Sequence, residues 1–135
     1  MTTPTKKLMP PREEPGIRVM MMPRDTNSEG SIFGGVILSY IDQAAFVEAR
    51  RQAHCRYVTV CMKEVVFKAP VFVGDILSLY GEAIHLGRTS ITIKVRVLAE
   101  RAQPPSRTVD VTEAEVVLVA VDESCRPCEV VPDRV

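Results

Sequence analysis

The stretch "TNSEGSIFGGVILSYIDQAA", residues 26–45, joins a polar loop to a strongly apolar run through two adjacent glycines, Gly34 and Gly35. Residues 32–53 contain no proline and are rich in helix-favouring residues, which predicts one long helix. The first half of this helix is apolar nearly all round, so we expect it to be buried on most sides. Its last turns, "EARRQAH", are polar and basic and are expected to emerge at the surface.

The remaining segments are β-like. "GIRVMMMP" predicts a short strand that ends at Pro23. Four longer segments are rich in β-branched residues and predict four further strands: "RYVTVCMKEVVF", "ILSLYGEAIHL", "SITIKVRVLAE" and "RTVDVTEAEVVLVAVDE". In the third of these, Ile91, Ile93, Val95 and Val97 alternate with polar residues, as in a strand with one buried face.

A helix that is apolar nearly all round needs more cover than one flat sheet face supplies. We therefore expect an α+β fold in which a curved antiparallel sheet wraps around one long central helix. The open edge strands of such a sheet predict pairing with a second subunit, hence a homodimer. The domain is expected over residues 16–125, between a flexible, proline-rich arm at residues 1–15 and a tail at residues 126–135.

The composition restricts the class of protein and partner. The 135 residues are 46% hydrophobic, which is typical of one globular domain. Seventeen basic residues balance 17 acidic ones, so no bulk attraction to nucleic acid or to an anionic membrane is expected. No apolar run reaches the roughly 18 residues of a membrane span, and the N-terminus lacks the apolar core of a signal peptide. These features predict a cytoplasmic protein.

The four cysteines do not form a recognisable metal or redox motif. Only Cys125 and Cys128, in "CRPC", have a ligand-like spacing. A zinc site would need two further ligands, but His54 and His85 lie in other segments. A redox dithiol would open a helix after a strand, whereas this pair lies in a proline-containing tail. We therefore expect unpaired cysteines, no metal and no cofactor.

Asp42 and the two glycines are the residues that suggest chemistry. A carboxylate on an apolar helix face is expected to be partly buried, and it then needs a raised pKa, a hydrogen-bond partner, or a bound ligand or water. The pattern alone leaves a structural and a functional role equally open. Neither a P-loop nor a dinucleotide-binding glycine motif follows Gly34 and Gly35. The glycines either expose the amides of a helix N-terminus to negative charge or only permit tight packing.

Taken together with Asn27 in the preceding loop, these residues form a possible acyl-transfer site. An oxyanion would lie at the helix N-terminus, and the Asp42 carboxylate would activate water or attack directly. The sequence offers no serine or cysteine nucleophile with a histidine base, since His54 lies at the helix end and His85 in a later strand.

Three segments resemble the hot-dog-fold acyl-CoA thioesterases, most closely the YciA-type and cytosolic acyl-CoA hydrolases: "DTNSEGSIFGGVILSYIDQAA", "VTVCMKEVVFKAPVFVGD" and "GRTSITIKVRV". The resemblance covers about residues 17–130 in the family's order. It implies a hot-dog fold and metal-free hydrolysis of acyl-CoA thioesters at sites on a dimer interface. It also implies assembly beyond the dimer, typically as a trimer of dimers.

The resemblance also implies roles for particular residues. Asp42 would be the general base or nucleophile, and Asn27 of the partner subunit would position the water or thioester. The amides of Gly34 and Gly35 would stabilise the oxyanion, and Thr59 would lie near the acyl group. Coenzyme A would be bound mainly by the "GRTS" turn, with weaker candidates in "KAPV"; the residues concerned are Arg88, Thr89, Ser90, Lys68, Pro70 and Val71. Without the resemblance, Arg88 reads as a solvated turn residue.

Two other functions fit the same fold. A non-catalytic acyl-CoA sensor usually carries a fused DNA-binding unit, and the N-terminal arm is too short for a helix-turn-helix. A dehydratase would need a histidine paired with a carboxylate on the central helix, and His54 lies too late in the helix for that role. Thioester hydrolysis is therefore the favoured function.

Overall fold

The computed structural model describes residues 7–132, and the predicted arm and tail extend beyond those residues at the two ends. A 3-10 turn at Pro23–Asp25 follows the first strand. The elements are β1 (Ile17–Met20), α1 (Gly34–Gln52), β2 (Arg56–Phe67), β3 (Ile76–Leu86), β4 (Ser90–Glu100) and β5 (Thr108–Val121). The domain boundaries proposed from composition stay predictions.

The five strands form one antiparallel sheet in the order β1-β3-β4-β5-β2, so β1 and β2 are its edges. The predicted α+β fold with one long helix is confirmed. The helix begins two residues later than its pattern suggested because Ile32 and Phe33 belong to the loop. The Ile32 N–H donates to the carbonyl of Val71 (2.8 Å), and Phe33 has a non-helical ψ of 133°.

The core lies between α1 and the concave faces of β3, β4 and β5. The predicted alternation in β4 is confirmed, since its inward side chains are fully buried and Arg96 is exposed. Each fully buried Val, Leu or Ile contributes roughly 1.5–3 kcal/mol. The helix contributes mainly small and β-branched side chains to this core: Ile37, Ile41, Ala44, Ala45 and Ala49.

The close approach of helix and sheet depends on Gly81 in β3. A Cβ atom at Gly81 would lie 2.9 Å from the Cβ of Glu48 and 3.4 Å from a methyl carbon of Ile93. Cβ atoms do not approach other carbons this closely, so a larger residue would force the helix outward. Glycine is therefore needed at position 81 for close packing and not for a turn.

The C-terminal end of α1 is less exposed than its sequence suggested. Glu48 and Gln52 are only 6% and 1% exposed, so the expected emergence of this end is wrong for these two residues. The reason is the N-terminal segment: Gln52 accepts a hydrogen bond from the Met9 N–H (2.8 Å), and Arg51 donates to the Pro10 carbonyl (2.7 Å). Arg51 also forms a 2.8 Å ion pair with Glu48, which satisfies the buried charge.

Edge strand β2 exposes apolar side chains along its length. They are Val58, Val60, Val65, Val66 and Phe67, which are between 36% and 57% exposed. The strand is also irregular, with two register shifts against β5 and a positive φ of 55° at Glu64. An open edge with this many exposed apolar residues is a typical pairing surface. Within residues 7–132, no helix is long and apolar enough to cross a membrane.

Candidate active site

The N-terminus of α1 has uncapped amides. Phe33 occupies the N-cap position and makes no side-chain capping bond, as expected for a residue without a side-chain acceptor. The N–H groups of Gly34 and Gly35 donate no hydrogen bond to any acceptor within residues 7–132. They are two of the orphan donors that every helix start presents. The helix dipole adds partial positive charge at the same place.

The surroundings of the two glycines differ. A Cβ atom at Gly34 would lie 3.4 Å from Cζ of Phe67, which is ordinary contact. A Cβ atom at Gly35 would meet no atom of the described chain within 4 Å. Tight packing within the subunit therefore does not account for glycine at position 35. An unobstructed amide is what a carbonyl group needs in order to approach the backbone.

Asp42 lies two turns further along α1 and is held by β2. The hydroxyl of Thr59 donates a 2.6 Å hydrogen bond to Oδ1 of Asp42. This bond supplies the partner that a half-buried carboxylate requires. Oδ2 of Asp42 accepts no hydrogen bond from any residue in the described range, which leaves it available to water or substrate. The register shift at Val60 follows Thr59 directly.

Asn27 organises the loop before the helix. Its Oδ1 accepts from the N–H groups of Glu29 (2.8 Å) and Ser31 (3.1 Å), and its Nδ2 donates to the Ser31 hydroxyl (2.9 Å). Gly30 completes the turn with a φ of +85°, which favours glycine. Within one chain the side chains of Asn27 and Asp42 form no hydrogen bond with each other.

A cavity of about 320 Å³ opens beside the helix start. Its lining brings Gly34 together with three of the weaker coenzyme A candidates, Lys68, Pro70 and Val71. The other lining residues are apolar: Ile32, Ile37, Phe67 and Ala69. A concave, mainly apolar surface with a few backbone donors is the common form of a small-molecule site.

The "GRTS" turn between β3 and β4 is separate from this cavity within the subunit. Arg88 is exposed, and its carbonyl accepts the Val130 N–H (2.8 Å). The carbonyl of Thr89 accepts the Ala120 N–H (2.9 Å), and that of Ser90 accepts from Gly87 (2.9 Å). These bonds fix the turn through its backbone and leave the Arg88 guanidinium free of hydrogen bonds to described residues.

The described residues contain no cluster of three or more His, Cys, Asp or Glu side chains that could hold a metal ion. All four cysteines are free thiols, and Cys125 has a φ of 60° in the turn after β5.

A charged cluster lies on the convex face of the sheet. Glu113 forms ion pairs with Lys94 (2.6 Å) and Lys68 (3.1 Å). The hydrogen bond from Lys94, followed by that from Lys68, lowers the pKa of Glu113 below its ordinary value. The same hydrogen bond raises the pKa of Lys94. This cluster shares Lys68 with the cavity lining.

Sequence reasoning missed a buried ion pair next to the cavity. Asp75 is 2% exposed and forms a 2.7 Å ion pair with Arg101, at the end of β4. The sequence "GD" at residues 74–75 is typical of a turn and does not reveal the pair, because contacts between residues 26 positions apart leave no local period. The Thr59–Asp42 bond was also not predicted, although both residues were named as site residues.

Comparisons with known proteins identify the family to which this fold belongs. The Thioesterase superfamily model matches residues 29–104. An uncharacterised acyl-CoA thioester hydrolase of Zymomonas mobilis is 43% identical over 122 residues, which are 90% of this chain and 81% of that protein. Acyl-CoA thioester hydrolase YciA of Salmonella typhimurium is 37% identical over 119 residues, 87% of this chain and 90% of that protein.

A solved hexameric hotdog-fold thioesterase of Campylobacter jejuni has the same architecture. It superimposes with a TM-score of 0.84 at 41% identity and covers 89% of this chain and 93% of its own. The resemblance to YciA-type hydrolases inferred from the sequence is thereby confirmed. The family model spans more than half of the chain, and the relatives span most of it. The chain therefore belongs to the thioesterase superfamily and has the hot-dog fold.

Proposed function

We propose that this protein is an acyl-CoA thioester hydrolase, which cleaves an acyl-CoA into a free acid and CoA. The names of its relatives support this substrate class. The observation that carries the proposal is the state of Asp42: Thr59 fixes one carboxylate oxygen at 2.6 Å and leaves the other open. The uncapped amides of Gly34 and Gly35 begin the same helix and supply donors for an oxyanion.

In the proposed reaction Asp42 accepts a proton from a water molecule while the water oxygen attacks the thioester carbonyl carbon. The carbonyl oxygen becomes an oxyanion, which accepts hydrogen bonds from the helix-start amides. The C–S bond then breaks, and the CoA thiolate takes up the proton held by Asp42. Direct attack by the Asp42 carboxylate, forming an anhydride that water hydrolyses, is the alternative form of this mechanism.

The spacing along the helix favours a site shared between two subunits. Asp42 lies seven positions after Gly35, which corresponds to about 10.5 Å along the helix axis. The carbonyl group of one thioester does not readily reach both the Gly35 amide and Asp42 of the same helix, since oxyanion donors act at about 3 Å. We therefore infer that the helix start of one subunit faces Asp42 of its partner, with Asn27 approaching across the same interface.

Strand β2 is the proposed interface. Its exposed apolar residues, including Val60 at 57%, lie on the edge next to Thr59 and Phe67. Pairing of this edge with a second copy would cover those side chains and bring the helix start of each subunit near Asp42 of the other. The hexameric state of the Campylobacter relative supports a homo-oligomer, with a trimer of dimers as the proposed assembly.

The CoA moiety is proposed to be bound by two groups of residues. Arg88 would contact a phosphate group, with Thr89 and Ser90 donating hydrogen bonds. Lys68 would add a second positive charge beside the cavity, where the backbone around Pro70 and Val71 would also contact CoA. No metal and no cofactor is required for hydrolysis in this proposal.

The test is thiol release from a panel of acyl-CoAs that runs from short to long and aromatic acyl groups. We expect catalytic turnover of at least one member, and the profile will identify the acyl preference. CoA binding without turnover of any member would overturn the hydrolase proposal and indicate a non-catalytic acyl-CoA sensor. Direct binding of CoA by calorimetry, run on the same sample, distinguishes that outcome from an inactive preparation.

The shared site can be tested by subunit mixing. Asn27→Ala and Asp42→Asn variants are each expected to be inactive alone. Mixed after reversible dissociation, they should recover about a quarter of wild-type turnover, because half of random dimers are mixed and each mixed dimer has one intact site. Absence of recovery, with mixed oligomers verified by mass spectrometry, would place both residues of a site in one chain.

A further inference from the structure

The buried carboxylate of Asp75 is fully engaged by groups from two segments. Oδ2 accepts from Nη1 of Arg101 (2.7 Å) and from the Phe72 N–H (2.9 Å). Oδ1 accepts from the Ala102 N–H (3.3 Å). The preceding Gly74 has a φ of +87°, which gives the turn the shape that points Asp75 inward. The charge is therefore paired and hydrogen-bonded, as a buried charge must be.

Arg101 reaches beyond Asp75 to the segment that walls the cavity. Its Nη1 also donates to the carbonyl of Pro70 (2.9 Å), and its guanidinium lies 5.2 Å from the centre of the Phe72 ring. The pair thus holds residues 70–72 at both ends, through the carbonyl of Pro70 and the N–H of Phe72. Asp75 and Arg101 thus bond to backbone groups of this segment as well as to each other.

Between those two anchors lies Val71, which connects the pair to the helix start. Its side chain is buried, and its carbonyl accepts the Ile32 N–H (2.8 Å). Only Phe33 lies between Ile32 and the first helical residue, Gly34. Pro70, Val71, Ile32 and Gly34 line the same cavity. Hydrogen bonds therefore link the ion pair to residues 70–72 and, through Val71, to Ile32, from which the chain leads directly into the helix start.

We propose that Asp75 and Arg101 are positioning residues for the active site: they fix the cavity wall at residues 70–72 and, through Val71, the start of α1. This inference rests on the proposed function. Neither side chain needs to touch the substrate. Buried ion pairs often contribute little net stability compared with apolar residues of similar volume. If the pair positions the helix start, its removal lowers kcat even under conditions in which the variant remains fully folded.

The experiment compares three variants with the wild type. Arg101→Met removes both hydrogen bonds that Nη1 donates, and Arg101→Lys retains the charge. The double variant Asp75→Asn/Arg101→Met removes the pair without leaving a buried unpaired charge. The control is Arg107→Lys, an exposed arginine whose backbone carbonyl, but not its side chain, bonds to Arg101. Activity is measured well below the melting temperature of each variant, so that the folded fraction is the same.

We expect the double variant to lower kcat about tenfold or more, since small displacements of catalytic groups have effects of this size. Arg101→Lys should recover part of that loss, and Arg107→Lys should match the wild type. In parallel, amide hydrogen exchange at Ile32 should become at least about tenfold faster in the double variant, because its acceptor is no longer held. Should Arg101→Met fail to fold, the double variant carries the test.

Two results would overturn the inference. One is a double variant with wild-type kcat at a reduced melting temperature, which would make the pair purely structural. The other is unchanged exchange at Ile32, which would show that the pair does not hold the helix start. If the wild type itself hydrolyses no acyl-CoA while exchange at Ile32 responds as expected, then the proposed function fails and the structural linkage stands.

Discussion

The hydroxyl of Thr59 donates a 2.6 Å hydrogen bond to Oδ1 of Asp42, and this bond joins edge strand β2 to the flank of helix α1. Two further contacts join the same strand and helix. The Phe46 and Tyr57 rings meet edge to face with centroids 6.1 Å apart, and Phe67 lies over Gly34. Strand β2 thus contacts helix α1 at three places: at its start, at Asp42 and at Phe46.

The Thr59 bond makes the first prediction. Thr59→Val keeps the shape of the side chain and removes the donor, so Asp42 loses a bond to a charged group worth roughly 1.5–3 kcal/mol. We expect kcat to fall about tenfold or more while the fold is retained. Thr59→Ser keeps the hydroxyl and is the control. Equal loss of kcat in both variants would show that the hydroxyl does not matter.

Gly35→Ala separates packing from catalysis. The added methyl group meets no atom of the described chain within 4 Å, and alanine is favoured over glycine in helices by up to about 1 kcal/mol. We therefore expect a melting temperature equal to or above that of the wild type, with strongly reduced turnover. Wild-type turnover would remove the amide of Gly35 from the oxyanion site.

Gly81→Ala has the opposite expectation. The new Cβ would lie 2.9 Å from the Cβ of Glu48, so the helix must move away from the sheet. Overpacking of this kind costs typically 1–3 kcal/mol. Urea denaturation should show this loss of unfolding free energy. Gly35→Ala, whose added methyl group meets no described atom within 4 Å, serves as the control. An unchanged urea midpoint would mean that the helix can move away from the sheet without a loss of stability.

Glu113 gives a prediction about pH. Because its hydrogen bonds to Lys94 and Lys68 lower its pKa, the folded state favours the charged form. Its stabilising effect is present above the ordinary pKa of 4.5 and is lost as the pH falls through the lowered value. Glu113→Gln should therefore reduce stability at pH 7 by less than about 1 kcal/mol, as for other surface ion pairs.

The corresponding measurement is urea denaturation of wild type and Glu113→Gln at several pH values between neutral and strongly acidic. The difference between the two proteins should shrink as the pH falls below 4.5. A difference that stays constant over this range would mean that the carboxylate charge is not what stabilises the cluster.

Much of this fold could be predicted from the sequence because its signals are local. Alternating apolar residues and β-branched runs located β2, β3 and β4 at their observed ends. The helix was predicted from its lack of proline and its apolar faces, and only Ile32, Phe33 and Ala53 were assigned to it wrongly. These errors at the ends arise because backbone hydrogen bonds to distant residues, such as Val71, set where a helix begins.

What the sequence did not predict depends on contacts between distant residues. Gln52 is buried by Met9, which is 43 positions away, and Arg101 meets Asp75 across 26 positions. Neither pairing has a periodic pattern that a single sequence would reveal. The candidate site residues Asp42 and Gly35 could be named from the sequence because they interrupt strong patterns: a charge on an apolar face and glycines in a helix.

Interface formation by β2 supplies a further prediction. Val60→Asp places a charge at the most exposed apolar position of this edge strand. We expect the oligomer to dissociate and turnover to fall with it, because the proposed site needs two subunits. Analytical ultracentrifugation gives the assembly state. A variant that stays oligomeric and active would exclude this part of β2 from the interface.

The central claim is that Asp42 carries out thioester hydrolysis, and the most direct test compares kcat of the wild type with that of Asp42→Asn on the best acyl-CoA substrate. Asp110→Asn, which removes an exposed carboxylate paired with Arg96, is the matched control. We expect Asp42→Asn to retain its assembly state and to lose nearly all turnover, while Asp110→Asn keeps it. Wild-type turnover by Asp42→Asn would contradict the account, because the carboxylate would then be only a structural partner of Thr59.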